Sequence, residues 1–333
     1  MNIVKAKSEK EYRKLEALSS SDLRVFSSDR KKFFKTRVLG ETVEEEYSRS
    51  MLIGHLVHCL LLEPEEFDKR YFTSICTAPP TGKMLDFVET LYKNRDIPKL
   101  SDNIRKSYDE VGFTWTLQTV VKKFTEGTGE DYYNQLLEAR GKGLEVVCAA
   151  DLSISEKIIS IIKGDRNVGP IFNKSNHREV KIEKFYIDGF ELKGMIDDIE
   201  VNHEDKEIKI SDLKVVYDNQ NFYREYYLKK NSYIQAYLYY EATKTWAINQ
   251  GLKDYLVHPP RFIAVDSGCF FAPVIYELEK EHLDKAYLGF KEGNKYYPGV
   301  KEILEEVSWA QENNIWNMTK KQYLCGGRVK LDG

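Results

Sequence analysis

Two short segments of the chain carry acidic and basic residues at a spacing that could bind a metal ion. Asp197 lies in one run of alternating polar and apolar residues, and the triplet Asp212-Leu213-Lys214 lies in the next run. If the polar loop between the runs closes at Val201 and Ile208, the two aspartates face each other across antiparallel strands. Like charges directly opposite on a sheet are destabilising, because their Cβ atoms lie only about 4.5–5.5 Å apart. We therefore expect a cation between them.

Lys214 leaves two interpretations of this acidic pair open. Side chains alternate along a strand, so Lys214 lies on the same face as Asp212, and Leu213 lies on the other. The lysine could simply neutralise the aspartates in a surface ion-pair cluster, which contributes little stability. Alternatively, the aspartates bind Mg²⁺, a cation that prefers carboxylate oxygens, and the lysine assists hydrolysis at phosphorus. A loop that is one residue longer or shorter would turn one aspartate to the opposite face.

The elements that position these residues are predicted from periodicity and turn signals. Ser19-Ser20-Ser21 offers N-caps for a helix through Phe34, and a second helix is expected at about 50–62. Residues 83–164 are mostly helical in character. Strands follow from 181 to 214, with Asp188-Gly189 as a hairpin turn, and then a helix at about 226–245, a core strand at 261–265, its neighbour at 270–276 and a helix at 280–290. This order predicts an α/β (α+β) fold with a central sheet and flanking helices.

Composition and charge narrow the class of protein. The chain has 333 residues and a net charge of -3, which gives no overall signature of a nucleic-acid-binding protein. A basic run over 29–37 includes Arg30, Lys31, Lys32 and Lys35, and Glu41 and Glu44–Glu46 follow it. The basic run is either a solvated helix face or a contact to phosphates.

The chain shows no sign of membrane insertion, secretion or a cysteine-based metal site. It has no apolar run of 18 residues, and its N-terminus is charged, so we expect a cytoplasmic protein. The five cysteines lie far apart without a CxxC pair, which argues against a zinc ribbon or a disulfide framework.

Several motifs together resemble the PD-(D/E)XK nuclease superfamily. Asp197 followed by Asp212-Leu213-Lys214 looks like its D…(D/E)xK core, and Gln235-Ala236-Tyr237-Leu238-Tyr239 is similar to the QxxxY helix of the RecB-like branch. Gly54 to Pro64 resembles the upstream G-x-x-x-H helix that ends in Leu-Glu-Pro. Residues 18–35 look like the opening of RecE-type (exonuclease VIII-like) phage and prophage exonucleases. These motifs occur in the family's order over residues 18–240.

The resemblance implies a restriction-endonuclease-like core and a role for each matching residue. It implies one nuclease domain over 1–333, divided into N-terminal helices at 18–80, a helical insertion at 83–164, a catalytic core at 178–290 and an extension at 291–333. The implied metal ligands are His58, Asp197, Asp212 and the Leu213 carbonyl; the implied catalytic residues are Lys214, Asp197, Asp212 and Gln235; the implied DNA contacts are Gln235, Tyr239 and the basic residues 30, 31, 32 and 35. Gln235 and Tyr239 could instead buttress the site, and Glu179 is a further candidate acid. Without the resemblance, a histidine on an apolar helix such as His58 is more often a core residue.

The implied activity is metal-dependent exonucleolytic hydrolysis of linear duplex DNA. One or two Mg²⁺ or Mn²⁺ ions are expected and no iron–sulfur cluster, since the cysteines of that branch are missing. The expected partners are DNA ends, a single-strand annealing protein and further copies of the chain in a ring. Val215 departs from the family, because many relatives have a threonine after the lysine. The alternatives are an endonuclease or single-strand-specific nuclease, a catalytically silent DNA-binding module, and a metal-free structural protein.

Overall fold

The computed structural model describes residues 9–41, 48–173 and 176–328, and the chain divides into two compact units. The larger unit comprises residues 1–47 and 161–333, and the smaller unit comprises residues 48–160. The charged residues 1–8 and the acidic residues 44–46 of the sequence-based predictions lie outside the described residues. The finer division of the chain into insertion, core and extension stays a prediction.

The first helices of the larger unit begin where side chains cap their backbone. They are α1 (Glu9–Arg13), α2 (Ser20–Ser28) and α3 (Arg30–Phe33), followed by a π-helical turn over Phe34–Val38. Ser19 and Asp22 form a reciprocal capping box at the start of α2, which confirms the predicted N-cap. The predicted continuous helix through Phe34 is wrong, because Asp29 leaves the helical conformation and its carboxylate accepts from the Lys32 backbone N–H at 2.9 Å.

The smaller unit is mostly helical, as the sequence predicted. Its elements are α4 (Arg49–Leu62), a 3₁₀ turn over Pro64–Glu66, α5 (Phe67–Arg70), β1 (Tyr71–Thr73), α6 (Lys83–Lys93), α7 (Leu100–Val111), α8 (Leu117–Glu126), α9 (Gly129–Gly141), β2 (Glu145–Val147) and α10 (Ala149–Gly164), whose last turn belongs to the larger unit. Strands β1 and β2 pair in parallel, a contact that the sequence did not predict. An aromatic-rich core that includes Phe87, Phe124 and Leu136 lies among these helices.

The larger unit contains a mixed six-stranded sheet. After α11 (Gly169–Asn173), its strands are β3 (His177–Ile187), β4 (Phe190–Asn202), β5 (Glu207–Val216), β6 (Leu256–Val257), β7 (Arg261–Asp266) and β8 (Val274–Glu277). The order is β3-β4-β5-β7-β8, and β6 pairs with the start of β5. The antiparallel meander β3-β4-β5 and its turn at Asp188-Gly189, where both residues have positive φ, confirm the prediction.

A crossover helix joins the two parallel strands in the middle of the sheet. Strands β5 and β7 are parallel, so the chain must cross a face of the sheet between them. It does so through a π-helical turn (Tyr223–Leu228) and α12 (Ser232–Asn249), which contacts β3, β4 and β5. The remaining elements are α13 (Lys280–Leu288), β9 (Phe290–Glu292), β10 (Lys295–Tyr297), α14 (Val300–Asn313) and α15 (Lys320–Leu324). Side chains of the sheet, α2, α12 and α14 form one hydrophobic core.

Candidate active site

The predicted acidic residues lie where β4 and β5 separate. Their antiparallel pairing runs from Asn202↔Glu207 to Asp198↔Ser211, which is the predicted register. It ends one residue before Asp197 and Asp212 would pair, and from Ser211 onward β5 pairs with β7 on its other side. Instead, the Asp197 carboxylate accepts a hydrogen bond from the Leu213 backbone N–H at 2.8 Å. A side chain thus replaces the backbone partner at this point of the ladder.

Asp212 is fully buried and has a partner on each carboxylate oxygen. Its Oδ1 accepts from Gln235 Nε2 at 2.8 Å, and its Oδ2 lies 2.5 Å from Lys214 Nζ. The strand alternation predicted this convergence of Asp212 and Lys214 on one face. A buried carboxylate is stable only when it is paired and hydrogen-bonded, and this arrangement meets both conditions.

The first turns of α12 support the buried carboxylate. Gln235 Nε2 also lies 2.7 Å from Tyr239 Oη, one helical turn further on. Burial raises the pKa of Tyr239 well above its usual value, and the negative charges of Asp212 and Asp197 raise it further, so the phenol stays protonated. Both side chains are buried, and their predicted roles, contact with DNA or support of the site, stay predictions.

Glu179 lies beside Asp197 on the neighbouring strand. The pairs Arg178↔Asp198 and Val180↔Ile196 flank these two acids, and their carboxylate oxygens lie within 4.8 Å of each other. Glu179 has a φ of 46°, a left-handed conformation that costs a residue with a Cβ roughly 1–2 kcal/mol. The structure therefore brings together Glu179, which the sequence indicated only as a further candidate acid, and Asp197.

The donor set at this acid pair fits a hard divalent cation. Mg²⁺ and Mn²⁺ prefer carboxylate and carbonyl oxygens, and the carboxylate oxygens of Glu179 and Asp197 lie within 4.8 Å of each other. The buried Oε1 of Gln235 has no hydrogen-bond partner among the described residues, so it offers a further oxygen acceptor beside Asp212. We conclude that Glu179 and Asp197, with Asp212 and Gln235 next to them, could hold a metal ion.

Asp198, the next residue along β4, belongs to a different environment from Asp197, because side chains alternate along a strand. Both of its oxygens accept from Asn176 Nδ2, at 3.1 and 3.0 Å. Burial raises the pKa of Asp198 to about 6, and the amide of Asn176 and the charge of Arg178 oppose that rise. The Asp198 carboxylate is therefore held by Asn176, away from the acid pair of Glu179 and Asp197.

Arg24 on α2 is a site residue that the sequence analysis missed. Its guanidinium Nε donates to the Lys230 carbonyl at 2.8 Å. Burial lowers the pKa of Arg24, and the negative charge of Asp212 opposes that shift, so the guanidinium is within electrostatic reach of this carboxylate. No local pattern in the sequence identifies Arg24, because its position follows from the packing of α2 on α12.

Other predicted site residues keep their roles as predictions. His58 is half-buried on α4 in the smaller unit, and the Leu213 side chain is buried on the face opposite Asp212. In the basic run, Arg30 pairs with Glu306 and donates to the Met318 carbonyl at 2.9 Å, whereas Lys31 is exposed. Lys32 is half-buried, and Lys35 Nζ lies 3.9 Å from the Glu41 carboxylate.

Comparison with known proteins identifies one family model. The model of a "PDDEXK-like domain of unknown function (DUF3799)" matches residues 19–313. No curated protein matches the sequence. A solved structure of a "putative exonuclease" from Eubacterium rectale is similar with 13% identity and a TM-score of 0.49, over 100% of this chain and 96% of that chain. No helix among the described residues is long and apolar enough to span a membrane.

Proposed function

Because the chain belongs to the family of PDDEXK-like domains of unknown function (DUF3799), we propose that it is a metal-dependent deoxyribonuclease that degrades linear duplex DNA from its ends. The observation that carries this proposal is the partly buried cluster in which Lys214 is held by the buried Asp212, near the acid pair Glu179 and Asp197. Exonuclease action, a role in recombination or phage DNA processing in a bacterial cytoplasm, an annealing partner and a ring of subunits rest on the RecE-type motifs.

The acidic residues of the site would hold the metal. Glu179 and Asp197 supply a pair of neighbouring carboxylates and Asp212 supplies a third. His58 stays the predicted nitrogen ligand. When bound, Mg²⁺ or Mn²⁺ acts as a Lewis acid toward the scissile phosphate. The Leu213 N–H fixes the orientation of the Asp197 carboxylate through its 2.8 Å hydrogen bond, so this ligand is preorganised before the ion arrives.

Lys214 supplies a positive charge at the site. Its ammonium group has three N–H donors, and the contact with Asp212 orients the group without using all of them. The remaining donors can bind a phosphate oxygen or orient an attacking water, where positive charge stabilises the negative charge that develops in the transition state. Gln235 holds Asp212 and Tyr239 holds Gln235, so three residues fix the ammonium group.

A comparison of linear and covalently closed DNA tests the proposal. Wild-type protein is incubated with each DNA in the presence of Mg²⁺ or EDTA, and loss of DNA and release of nucleotides are measured. We expect loss of the linear DNA only, and only with Mg²⁺. Nicking of the closed circle would identify an endonuclease, and binding without hydrolysis would identify a silent binding module.

Two lysines of the same strand provide a matched pair of variants. Lys214→Ala should abolish hydrolysis, because it removes the donors next to the scissile phosphate. Lys209→Ala is the control, since this lysine lies at the other end of β5 and pairs with Glu207 at 3.4 Å. Hydrolysis by Lys214→Ala at the rate of Lys209→Ala would remove the lysine from the mechanism.

A further inference from the structure

Exposed aromatic side chains lie just beyond the strand that carries Lys214. Tyr217 follows the end of β5, three residues after Lys214, and is 88% exposed. Val216 pairs with Asp266 on β7, and the turn after Asp266 presents Phe270 and Phe271, which are 87% and 53% exposed. Large aromatic side chains are rarely this exposed without a binding role when several occur together. We call Tyr217, Phe270 and Phe271 the strand-end aromatic surface.

The turn that carries the two phenylalanines is held by hydrogen bonds. The buried Asp266 carboxylate accepts from the backbone N–H groups of Gly268, Phe270 and Phe271 at 2.8, 2.8 and 3.1 Å. The Ser267 N–H donates to the Val216 carbonyl at 2.7 Å and joins the turn to the end of β5. Phe270 and Phe271 therefore lie on a hydrogen-bonded turn that is joined to the end of β5, where Tyr217 follows.

A cleft with basic residues continues from Tyr217. Its volume is about 430 Å³, and it is lined by Tyr217, Asp218, Asn221, Arg224, Glu225, Tyr226 and Lys230. The Lys230 ammonium lies 4.2 Å from the centre of the Tyr226 ring, a cation–π contact. The acidic residues are engaged locally: Asp218 accepts from the Gln220 N–H, and Glu225 pairs with Lys229 at 2.9 Å. The cleft thus offers exposed cations next to aromatic rings.

Arg24 connects this cleft with the candidate active site. Its Nε donates to the carbonyl of Lys230, which lines the cleft, at 2.8 Å. Arg24 lies on α2, which packs against α12, the helix that carries Gln235 and Tyr239. The cations Arg24, Lys230 and Arg224 therefore lie in and beside the cleft.

We propose that the cleft and the strand-end aromatic surface bind an unpaired DNA strand, whose bases stack on Tyr217 and whose phosphates contact Lys230 and Arg224. Cations that follow a backbone and aromatic rings that stack on bases are the two components of single-strand binding. Bases inside a duplex have their faces covered by neighbours, so only an unpaired segment can use such a surface. The inference rests on the proposed function and specifies its substrate as DNA with a single-stranded extension.

Binding measurements in EDTA test this inference without hydrolysis. The probes are a blunt DNA hairpin, the same hairpin with a short single-stranded extension, and that extension with abasic sites in place of bases. Tyr217→Ala should bind the extended hairpin about tenfold more weakly than wild type, about 1.4 kcal/mol, with unchanged affinity for the blunt hairpin. Tyr217→Phe should keep wild-type affinity, because the ring remains. Tyr186→Ala is the control, since Tyr186 is 57% exposed near the hairpin turn between β3 and β4.

A second variant tests the phosphate contact. Lys230→Ala should weaken binding of the extended hairpin and reduce the slope of log K against log salt concentration by about 0.7, the value for one phosphate of a single strand. Lys244→Ala is its control, because Lys244 also lies over a tyrosine, 5.2 Å from the centre of the Tyr240 ring, but outside the cleft.

The outcomes separate this inference from the proposed function. The inference is overturned if wild type and Tyr217→Ala bind the extended hairpin with equal affinity. It is also overturned if Tyr217→Ala loses as much affinity for the blunt hairpin as for the extended one. The inference is overturned as well if wild type binds the extension with abasic sites as tightly as the extension with bases. Hydrolysis of linear DNA by wild type with Mg²⁺ would still leave the proposed function intact in those cases. Base-dependent binding of the extension without hydrolysis would instead support the cleft and refute the nuclease.

Discussion

Replacement of Asp197 by asparagine should stabilise the metal-free protein and abolish its stabilisation by metal. Asparagine has the same shape, and its Oδ1 can still accept from the Leu213 N–H, so the substitution removes charge without removing the hydrogen bond. What changes is the repulsion between Asp197 and Glu179.

The expected size follows from the distance. For oxygens within 4.8 Å of each other and an effective dielectric constant of about 20, the repulsion is about 3 kcal/mol. Glu179 is half-buried, so solvent screening lowers this to about 1–2 kcal/mol. For a folding unit of this size, 1 kcal/mol corresponds to about 2–4 °C, so we expect Tm to rise by about 2–8 °C.

Thermal unfolding in EDTA and in Mg²⁺ or Mn²⁺ measures both effects. At a free concentration of about 100 times the dissociation constant, one ion stabilises wild type by about 2.7 kcal/mol, whereas Asp197→Asn should not respond. Asp254→Asn is the control, because it removes the same charge from an exposed position in the larger unit. A variant that melts at or below the wild-type temperature in EDTA and still responds to metal would refute the reasoning.

Three further predictions concern the support of the site and the fold. Gln235→Ala should lower kcat on linear duplex DNA about 10- to 100-fold with little change in KM, because Asp212 loses the donor that lies 2.8 Å from its Oδ1. Steady-state kinetics measure both constants, and an unchanged kcat would contradict the prediction. Lys193→Met should lower the free energy of unfolding in urea by about 2–4 kcal/mol, because the buried ammonium group of Lys193 donates to three backbone carbonyls. A variant with the same urea midpoint as wild type would contradict this prediction. At about pH 8 a thiol reagent should modify the exposed Cys325 quickly and the buried Cys148 only after denaturation. Burial raises the pKa of Cys148 to about 11, so its side chain stays a protonated thiol, and fast modification of Cys148 in the folded protein would contradict this prediction.

Local signals account for the part of the fold that the sequence predicted. The two-residue turn at Asp188-Gly189 and the alternation of β3, β4 and β5 determine the meander and its register, since both depend on neighbouring residues. The sequence did not predict the short parallel pair β1–β2, because no local pattern identifies partners more than 70 residues apart. Nor did it assign α14, although Ile303, Leu304 and Val307 recur at helical spacing and join the main core.

The sequence did not predict the parts of the site that depend on contacts between residues far apart in the chain. The face shared by Asp212 and Lys214 follows from strand alternation, and the link from Gln235 to Tyr239 follows from helical spacing. Arg24 has no such signal, because its closeness to the site arises from how α2 packs on α12. Glu179 was indicated only loosely, since its position opposite Asp197 requires the register of β3 as well as that of β4.

If the site holds an ion as proposed, the contacts of its carboxylates favour the acid pair Glu179 and Asp197 over Asp212 as the first place of binding. Asp212 is balanced by Lys214 at 2.5 Å and hydrogen-bonded by Gln235, so an ion gains less there and must displace or share the ammonium group. Glu179 and Asp197 bring two like charges within 4.8 Å, where a divalent ion relieves repulsion and gains two ligands at once. Binding at the acid pair would leave Lys214 on Asp212 until a phosphate arrives. Under the proposed function, a negatively charged substrate would then compete for the ammonium group, and positive charge would move toward the phosphate only when DNA is present.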